Sequence, residues 1–505
     1  MPLAKALSIS LFGLAGRLIE IEADISSNLP AFVLVGLPDA SVNESASRVR
    51  AATTNSKLNL PGRRITVNLS PASVPKQGSG FDLGIAMAVL AAAGLINKSL
   101  LTKTVFLGEL ALDGSIKPIA GVLAAVIAAK RLSIENVVVP LANLPEAKLV
   151  TGVKVAGFNH LTQVAAEFGA NIAPKLLPEE IVSELALEPN ELCFSDVVGQ
   201  PDAIEALKVA AVGGHNLLMY GPPGAGKTML ASRLPGILPY LNEEEAIEIC
   251  AIRSVAKMEV TRLSATPPFQ APHHTASLVS MVGGGGSQPR PGLISLAHNG
   301  VLFLDEAPEF QSSVLESLRQ PLESGTITIS RAAGHAKFPA RFQLVLAANP
   351  CPCGHAVGSG KECTCSASAR LRYQNRISGP LSDRLDLRME LNAVNATLVN
   401  SDGKEITSKA IREMVTVARS ASLARLSKTQ WRTNAQVPGV YLRRELRLGR
   451  SITAQLDAAL DRNLISMRGY DRCLKVAWSI CDLRGGTSPT RDDIATAVFL
   501  RGNEL

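Results

Sequence analysis

The stretch HNLLMYGPPGAGKT, residues 215–228, is the most specific structural signal in this 505-residue chain. Its run LLMY indicates a short buried strand, and GPPGAGKT then matches the pattern G-x-x-x-x-G-K-[ST] directly before a helical stretch. Gly221, Gly224 and Gly226 let successive backbone N–H groups converge on phosphate oxygens at the positive end of that helix. The strand–loop–helix order therefore predicts a loop that binds the phosphates of a nucleotide.

Two side chains of this loop are predicted to act on ATP and Mg²⁺ directly. Lys227 would reach the β and γ phosphates, and the Thr228 hydroxyl would coordinate Mg²⁺. The predicted nucleotide-binding residues of the loop are Gly221, Pro222, Pro223, Gly224, Ala225, Gly226, Lys227 and Thr228.

A second buried-type strand, VLFLDE at residues 301–306, ends in two carboxylates. Asp305 would hold Mg²⁺, usually through water, and Glu306 would orient and deprotonate the attacking water. An acidic pair at a strand end is often only a solvated terminus. Its position roughly 75 residues after a phosphate loop favours the hydrolytic role.

Two further polar residues follow apolar strands or turns in the same region. Asn349 ends the run FQLVLAANP, residues 342–350, and could sense the γ-phosphate or place the water, although Asn before Pro is also a common turn former. Arg384 lies between two aspartates in SGPLSDRLDL, residues 378–387, where a surface salt bridge is the alternative to a catalytic role.

The pattern of strands and helices divides the chain into four parts. Residues 1–168 mix alternating strands with Ala-rich helices, and residues 169–193 are a Pro- and Glu-rich linker. Residues 194–391 alternate buried strands with helices, which predicts a doubly wound α/β domain with a largely parallel sheet. Residues 392–505 have helical apolar spacing and are predicted to form an all-α lid.

Composition excludes several classes of protein. An apolar content of 46% with 19% charged residues excludes a disordered or fibrous chain. The apolar run at residues 83–96 is shorter than the ~18–20 residues of a membrane span. The first 16 residues superficially resemble a signal peptide, but RLIEIEADI continues them with the alternation of a strand, so we expect a cytoplasmic protein.

The charge is concentrated in the last third of the chain. The net charge is +7 overall, with +9 in residues 370–505 and −2 in the rest of the chain. A basic region suggests a polyanionic partner, although solvated basic helices are common. Because aromatic residues make up only 4% of the chain, base stacking is not expected to be the main binding device.

Taken together, six motifs resemble those of the magnesium-chelatase-like AAA+ ATPases. They are GPPGAGKT, APHHTAS at 271–277, the glycine-rich run through LDEAPEF at 283–310, LRQPLESG at 318–325, NPCPCG at 349–354 and SGPLSDRLDL. The resemblance implies a hexameric ring with ATP between subunits. In a bacterial branch of this family linked to competence, it further implies a DNA motor for branch migration during integration of transforming DNA, beside a strand-exchange recombinase.

The same resemblance implies roles for residues outside the phosphate loop. Arg384 would be the arginine finger that enters the neighbouring subunit's site. Arg468 would be a second arginine sensor in the lid, with Arg472 as the alternative, and the sequence has Trp478 where the family commonly has Arg. The segment that includes Val198 and Gly199 would add further nucleotide contacts.

Two insertions are expected to face the central pore of such a ring. One includes the glycine run at 283–286, which can approach a phosphate backbone closely, and the other is a hairpin within residues 326–342. The predicted DNA-binding residues are His273, His274, Arg290, Arg331, His335 and Lys337. Both segments could instead be ordinary solvated loops. The adjacent histidines are not expected to bind metal, since no cysteine lies near them in the sequence.

Four cysteines form a compact pattern, C-x-C-x₉-C-x-C. Cys351, Cys353, Cys363 and Cys365 suit a tetrahedral structural Zn²⁺, and His355 could replace one sulfur. Reduced thiols without metal and a redox pair remain alternatives, because C-x-C is tighter than the usual zinc spacing.

Residues 1–168 resemble the proteolytic domain of Lon, which uses a Ser–Lys dyad. Matching the two patterns places Gly80 at the position of the nucleophile and Leu123 at that of the lysine, with Ser79 adjacent. We therefore expect an inactive α+β domain that serves assembly or DNA contact, and no protease activity.

The favoured hypothesis is an ATP-driven ring that translocates branched, duplex or single-stranded DNA. A metal-insertion motor that shares the ATPase core, an ATP-dependent protease and a DNA-binding ATP switch without motor activity are the alternatives.

Overall fold

The computed structural model describes residues 3–37, 39–76, 78–175, 192–285, 288–331, 334–356, 362–377, 379–392 and 406–502. Most of the predicted linker, the end of the glycine run at Gly286 and the first residues of the predicted lid lie outside these ranges. Within the described residues, the chain forms an α/β fold with a mixed sheet, a parallel sheet and a C-terminal set of helices, as the sequence predicts.

The N-terminal region is built on a seven-stranded sheet with the strand order β3-β4-β2-β1-β5-β8-β9. The β1–β2 and β2–β4 pairs are antiparallel, and the other pairs are parallel. Its strands are β1 (Leu3–Phe12), β2 (Ala15–Ser26), β3 (Ala31–Val35), β4 (Arg64–Ser70), β5 (Thr104–Phe106), β8 (Asn136–Pro140) and β9 (Lys154–Phe158), and a separate hairpin pairs β6 (Glu109–Leu110) with β7 (Ile116–Lys117).

Alternation along β2 explains how this sheet buries one face. Ile19, Ile21 and Ile25 are buried, while Glu20 and Asp24 between them are exposed. Each fully buried isoleucine contributes about 1.5–3 kcal/mol to folding. The helices of this region are α1 (Ala40–Asn43), α2 (Ser45–Asn55), α3 (Asp82–Ala92), α4 (Val122–Arg131), α5 (Leu144–Ala147) and α6 (Leu161–Glu167). The 14-residue apolar run is the buried helix α3 with the turn after it, and no helix among the described residues has the length and apolar character to cross a membrane.

The second sheet consists of five parallel strands in the order β11-β14-β17-β10-β18. They are β10 (Leu217–Tyr220), β11 (Phe269–Gln270), β14 (Val301–Leu304), β17 (Gln343–Ala348) and β18 (Leu387–Glu390). β14 and β17 are buried along their whole length, as expected for strands covered on both faces. Because the strands are parallel, their carboxyl ends share one edge of the sheet, where an open α/β sheet binds its ligands.

Helices and two hairpins surround this sheet. The helices are α7 (Pro201–Gly213), α8 (Lys227–Ile237), α9 (Glu243–Val255), α10 (Leu278–Val282), α11 (Leu293–Leu296), α12 (Ser312–Ser317), α13 (Arg319–Ser324), α14 (Ala367–Gln374) and α15 (Gly379–Ser382). One hairpin pairs β12 (Gly283–Gly284) with β13 (Arg290–Pro291), and the other pairs β15 (Thr326–Arg331) with β16 (Gly334–Pro339).

The C-terminal region is all-helical over the described residues, but it is not a loosely attached cover. Its helices are α16 (Ser408–Arg425), α17 (Gly439–Arg444), α18 (Arg450–Asp461), α19 (Met467–Leu483) and α20 (Arg491–Phe499). Buried residues of α16 and α19 belong to the same hydrophobic cluster as those of α7, α8 and β10. The region shares one core with the parallel sheet because its amphipathic helices bury their apolar faces there.

The N-terminal region packs on the second region at two places, helix α9 and the β15–β16 hairpin. Helix α4 packs on α9, and the N–H of Gly121 donates to the Ser254 carbonyl over 3.1 Å. The β1–β2 turn lies on the β15–β16 hairpin, where a Cβ added to Gly13 would be 3.3 Å from Ala336. Phe12 and Leu14 pack against the hydrophobic cluster that contains Ala336 and Phe338.

Candidate active site

The phosphate loop lies between β10 and α8, with Lys227 as the first residue of the helix. The Lys227 ammonium donates to the carbonyls of Gly221 at 2.7 Å and Pro222 at 2.8 Å, and to Asn349 Oδ1 at 3.0 Å. Burial lowers the pKa of Lys227, while the charges of Asp305 and Glu306 act in the opposite direction. The lysine is thus held over the loop by carbonyl acceptors that phosphate oxygens could replace.

The loop has room for phosphate oxygens above its backbone. Gly224 and Gly226 have φ values of 77° and 84°, a conformation that favours glycine. A Cβ on Gly224 would meet no atom within 4 Å, so this side of the loop is open. On the opposite side, a Cβ on Gly221 would lie 2.4 Å from the Leu391 carbonyl, which fixes the loop against β18. Open backbone N–H groups at a helix N-terminus fit a triphosphate.

The predicted magnesium ligands are in contact with one another. Thr228 Oγ1 donates to Asp305 Oδ2 over 2.5 Å, and the Glu306 N–H donates to Asp305 Oδ1 over 2.9 Å. A hydroxyl beside a carboxylate at the phosphate loop supplies hard oxygen ligands of the type that Mg²⁺ prefers. Asn349 joins the same edge through Lys227, so the structure brings these predicted residues of three different strand ends together.

Glu306 combines an unusual backbone with an unexpected partner. Its φ of 51° and ψ of 45° are left-handed, a conformation that costs a non-glycine residue of order 1–3 kcal/mol and clusters at functional sites. His274 Nδ1 lies 3.4 Å from Glu306 Oε2, and the rings of His273 and His274 are 4.1 Å apart. The histidine that we predicted to bind DNA therefore contacts the predicted catalytic base.

The segment before α7 lies beside the phosphate loop through a residue that the sequence analysis missed. Val198 is exposed, and Gly199 has a φ of 74°. The buried Gln200 reaches the loop, since its Nε2 donates to the Ala225 carbonyl over 3.4 Å and to the Asn392 carbonyl over 2.9 Å. The signal available in the sequence was a glutamine directly before Pro201, which begins a helix.

Arg384 lies at the opposite edge of the sheet from the phosphate loop of its own chain. Its carbonyl accepts a hydrogen bond from Asn216, the residue before β10, and Leu217 pairs with Leu387. The four residues of β10 span roughly 13 Å between this edge and Gly221. Among the described residues, the Arg384 guanidinium contacts Pro380 and Glu323 and makes no hydrogen bond to the phosphate loop of its own chain.

The arginine head is engaged at the edge of a groove. Its Nη1 donates to the Pro380 carbonyl over 2.5 Å, and its Nη2 pairs with Glu323. Burial lowers the pKa of Arg384, and the nearby charges of Arg319 and Arg468 act in the same direction. The groove has a volume of about 780 Å³ and is lined in part by residues of α10, α12, α13 and β15. Glu323 and Arg319 belong to the motif LRQPLESG, to which the sequence analysis assigned no role.

The two candidate lid arginines lie on this same edge. Arg468 Nη1 is 3.3 Å from Asp383 Oδ2, next to Arg384 in the sequence. Arg472 is more buried, donates to the Leu385 carbonyl over 2.8 Å and lies 3.7 Å from Asp386. Neither contacts Lys227 or the loop of its own chain among the described residues. Trp478 packs under Arg425, whose Cζ is 4.3 Å from the ring centroid, and so has a structural contact.

The two predicted pore elements touch each other. Arg331 Nε, at the end of β15, donates to the Gly285 carbonyl over 3.2 Å. His335 and Lys337 share the exposed face of β16, where His335 Nδ1 is 2.9 Å from Ser330 Oγ, and Lys337 pairs with Thr328. Arg290 is exposed on the neighbouring hairpin. These side chains form one basic surface on adjoining insertions.

The four cysteines converge beside the phosphate loop. All four Sγ atoms lie within 4.8 Å of one another, with Cys351–Cys353 at 3.2 Å, Cys351–Cys363 at 3.6 Å and Cys353–Cys363 at 3.7 Å. The N–H of His355 lowers the pKa of Cys353 to about 5. The His355 ring lies 4.0 Å from Glu362, away from the set of four sulfurs. The cluster could hold a metal ion with cysteine ligands alone.

The positions that match the Ser–Lys dyad of Lon hold other residues in the N-terminal region. Ser79 donates to Glu109, Leu123 is buried in α4, and the Gly80 carbonyl accepts from Gly108. The neighbouring Lys76 is fully buried, and its ammonium donates to the Pro71 carbonyl. Among the described residues, no lysine contacts Ser79.

Three family models of a magnesium-chelatase subunit match most of the chain. The model of magnesium chelatase, subunit ChlI, matches residues 193–399, and the model of the ChlI C-terminal region matches residues 405–501. A further model of subunit ChlI of Mg-chelatase matches residues 21–143.

Individual relatives agree with these models. An uncharacterized protein of Mycobacterium tuberculosis is 48% identical over 505 residues, which cover 99% of both chains. Competence protein ComM of Haemophilus influenzae is 42% identical over 507 residues, covering 99% of this chain and 98% of that protein. Lon protease 2 of Bacillus subtilis is 31% identical over 149 residues, only 28% of this chain and 26% of the protease.

Proposed function

Because this chain belongs to the magnesium-chelatase-like family of AAA+ ATPases, we propose that it is a ring-forming motor that couples ATP hydrolysis to the movement of DNA. The family implies ATPase activity, and full-length similarity to a competence protein favours DNA as the polymer that is moved. The proposed substrate is branched, duplex or single-stranded DNA in the cytoplasm, and the proposed process is branch migration during recombination and natural transformation, beside a strand-exchange recombinase.

One observation carries the proposal: a single chain segment contacts the basic surface at one end and the predicted hydrolytic carboxylate at the other. Arg331 contacts Gly285 on the neighbouring hairpin, and the segment that leads into this hairpin carries His274, 3.4 Å from Glu306. Phosphate groups bound at Arg331 and Lys337 would be recognised without regard to base sequence. Displacement of the insertions can therefore change the surroundings of Glu306, and hydrolysis can displace the insertions.

The distribution of catalytic groups supports a ring, which we propose to be a homohexamer. Each chain has a phosphate loop at one edge of its sheet and Arg384 at the other, roughly 13 Å apart along β10. A head-to-tail arrangement brings Arg384 of one subunit to the nucleotide of the next, and such interfaces close into rings. In the isolated chain, Arg384 pairs with Glu323. In the assembled ring, the nucleotide phosphate of the neighbouring subunit would replace this carboxylate.

Within one interface, each residue of this chain has a defined task. Lys227 binds the β- and γ-phosphate oxygens, while Thr228 and Asp305 hold Mg²⁺, which supplies positive charge against the phosphates. Glu306 takes a proton from the attacking water. Asn349, through its contact with Lys227, is positioned to sense whether the γ-phosphate is present. Arg384 from the neighbouring chain stabilises the transition state.

We further propose that the four cysteines hold a structural Zn²⁺. With Zn–S bonds of about 2.3 Å, the edges of a tetrahedral site are about 3.8 Å long. The separations of 3.6 and 3.7 Å between Cys363 and the first two cysteines match this length. Metal analysis of protein purified without chelator should give about one zinc per chain; less than half an equivalent would refute the site.

The competing candidate is a metal-insertion motor, which the ChlI family models favour. ATPase and four-way-junction migration assays on wild-type protein and Glu306→Gln, each with and without DNA, distinguish the two functions. We expect DNA to stimulate the wild-type ATPase, wild-type protein to convert four-way junctions to separated duplexes by branch migration, and Glu306→Gln to bind ATP and DNA without turnover. An ATPase that is indifferent to DNA, with no junction activity, would refute the DNA motor.

A further inference from the structure

Tyr220 connects the cysteine cluster to the phosphate loop. It is the last residue of β10 and directly precedes Gly221. Its hydroxyl donates to the Pro350 carbonyl over 3.1 Å and accepts from Gln374 Nε2 over 2.9 Å. A single phenol thus joins two chain segments at the start of the phosphate loop.

These two segments are the flanks of the cluster. Pro350 directly precedes Cys351, and Gln374 ends helix α14, which begins two residues after Cys365. A metal bound by all four sulfurs would cross-link the first flank to the second. The geometry of both hydrogen bonds to Tyr220 then depends on this cross-link.

A second contact joins the cluster to the loop itself. Gly354, one residue after Cys353, has a φ of 81°, and a Cβ there would lie 2.6 Å from the Pro223 ring. The cysteine segment therefore packs on the phosphate loop with no space for a side chain. The residue before Pro350 is Asn349, which accepts from Lys227.

We propose that the metal-bound cysteine cluster braces the phosphate loop, so that occupancy of the metal site sets the affinity for nucleotide. This inference rests on the zinc site proposed above and is independent of whether DNA is moved. Since binding couplings are reciprocal, nucleotide must also strengthen retention of the metal, by the same factor. Neither the zinc-binding role alone nor the ATPase alone requires this coupling.

Cys365→Ser tests the brace, with Cys193→Ser as the matched control outside the cluster. Cys193 accepts from the Ser408 N–H over 3.4 Å, a bond that a serine oxygen can also accept. Zinc content and the dissociation constant of a fluorescent ATP analogue are measured on the full chain. We expect Cys365→Ser to lose zinc and to bind the analogue about tenfold more weakly, and the control to match wild type. Loss of zinc with unchanged affinity would overturn the brace.

Tyr220→Phe separates the brace from metal binding, because it removes only the hydroxyl. We expect this variant to retain zinc and to bind the analogue about fivefold more weakly, a loss typical of one hydrogen bond. It also keeps the proposal falsifiable should Cys365→Ser fail to fold. Wild-type affinity in Tyr220→Phe would show that the two hydrogen bonds do not support the loop.

Release of zinc to a chromogenic chelator provides a readout besides activity. At equilibrium with the chelator, ATP should lower the zinc dissociation constant of wild-type protein about tenfold, and it should have no effect in Lys227→Ala, which lacks the phosphate contact. Equal release with and without ATP would refute the coupling while leaving the zinc site intact. Wild-type protein without zinc would refute both, and the DNA motor would still stand or fall on its own assays.

Discussion

The carboxyl and amino edges of the five-stranded sheet carry the two groups of residues that we propose form one catalytic site across a subunit interface. At the carboxyl edge, Lys227 donates a hydrogen bond to Asn349. Thr228 and the N–H of Glu306 both donate to Asp305. At the amino edge, Arg384 and Arg468 lie together and have no phosphate loop beside them. If Arg384 completes the site of a neighbouring subunit, as we propose, the functional unit is an interface between two chains and not one chain.

The largest effect is expected for Arg384→Ala. If the arginine completes the neighbour's site, ATP turnover should fall by about 10³-fold or more, the range of arginine fingers in phosphoryl transfer. Steady-state ATPase assays on assembled protein measure this loss.

Nucleotide affinity is the control for that variant. Arg384→Ala leaves the phosphate loop of its own chain intact, so isolated chains should bind an ATP analogue as wild type does, whereas Lys227→Ala should not. An Arg384→Ala protein that retains most of its turnover would contradict the assignment.

Mixing two inactive variants tests whether the phosphate loop and Arg384 act together from different chains. Lys227→Ala chains lack the pocket but keep the arginine, and Arg384→Ala chains have the reverse defect. In randomly mixed 1:1 rings, about a quarter of the interfaces pair an intact pocket with an intact arginine. ATPase should therefore recover to about a quarter of the wild-type value if interfaces act independently, while no recovery at any mixing ratio would place both groups in one chain.

A smaller effect is expected at His274, where an insertion meets the carboxyl edge. His274→Ala removes the group 3.4 Å from Glu306, so we expect basal ATPase to rise about fivefold and stimulation by DNA to shrink correspondingly. His273→Ala is the matched control, because His273 bonds Thr275 and not the catalytic carboxylate. Identical ATPase in both variants, with DNA stimulation intact, would show that the contact between His274 and Glu306 does not couple DNA binding to hydrolysis.

The smallest effect is expected in the N-terminal region. Ser79 bonds Glu109 and contacts no lysine among the described residues, so Ser79→Ala should change neither ATPase nor casein cleavage, which we expect to be at background. Casein cleavage that is lost in Ser79→Ala but kept in Glu306→Gln would reveal a protease that the pattern failed to predict.

Local motifs made the carboxyl edge predictable from sequence. A glycine-rich loop between a buried strand and a helix has few solutions, and parallel strands must bring Asp305 and Asn349 to the edge where Lys227 begins its helix. The strands 215–220, 301–306 and 342–350 were accordingly located within a few residues. The four cysteines were also recognisable, because chelating pairs are close in sequence.

Contacts between distant segments were not predictable. Nothing in APHHTAS indicates that His274 reaches Glu306, and nothing near Tyr220 indicates Pro350 or Gln374 as partners. These pairs depend on how insertions fold back on the sheet, which is a property of tertiary packing. The position of Arg468 beside Asp383 likewise follows from the core that α19 shares with α7, and not from any pattern within the helix.

The turn at Gly13 has a mechanical consequence. It seats the N-terminal region on Ala336 and Phe338 of the β15–β16 hairpin, while α4 anchors the same region to α9. The hairpin is thus covered by the N-terminal region, which is held at two contacts, one on the hairpin and one on α9. If the proposed motor moves this hairpin, the N-terminal region must either move with it or separate from Ala336 and Phe338, and this requirement would limit how far the hairpin travels in each cycle.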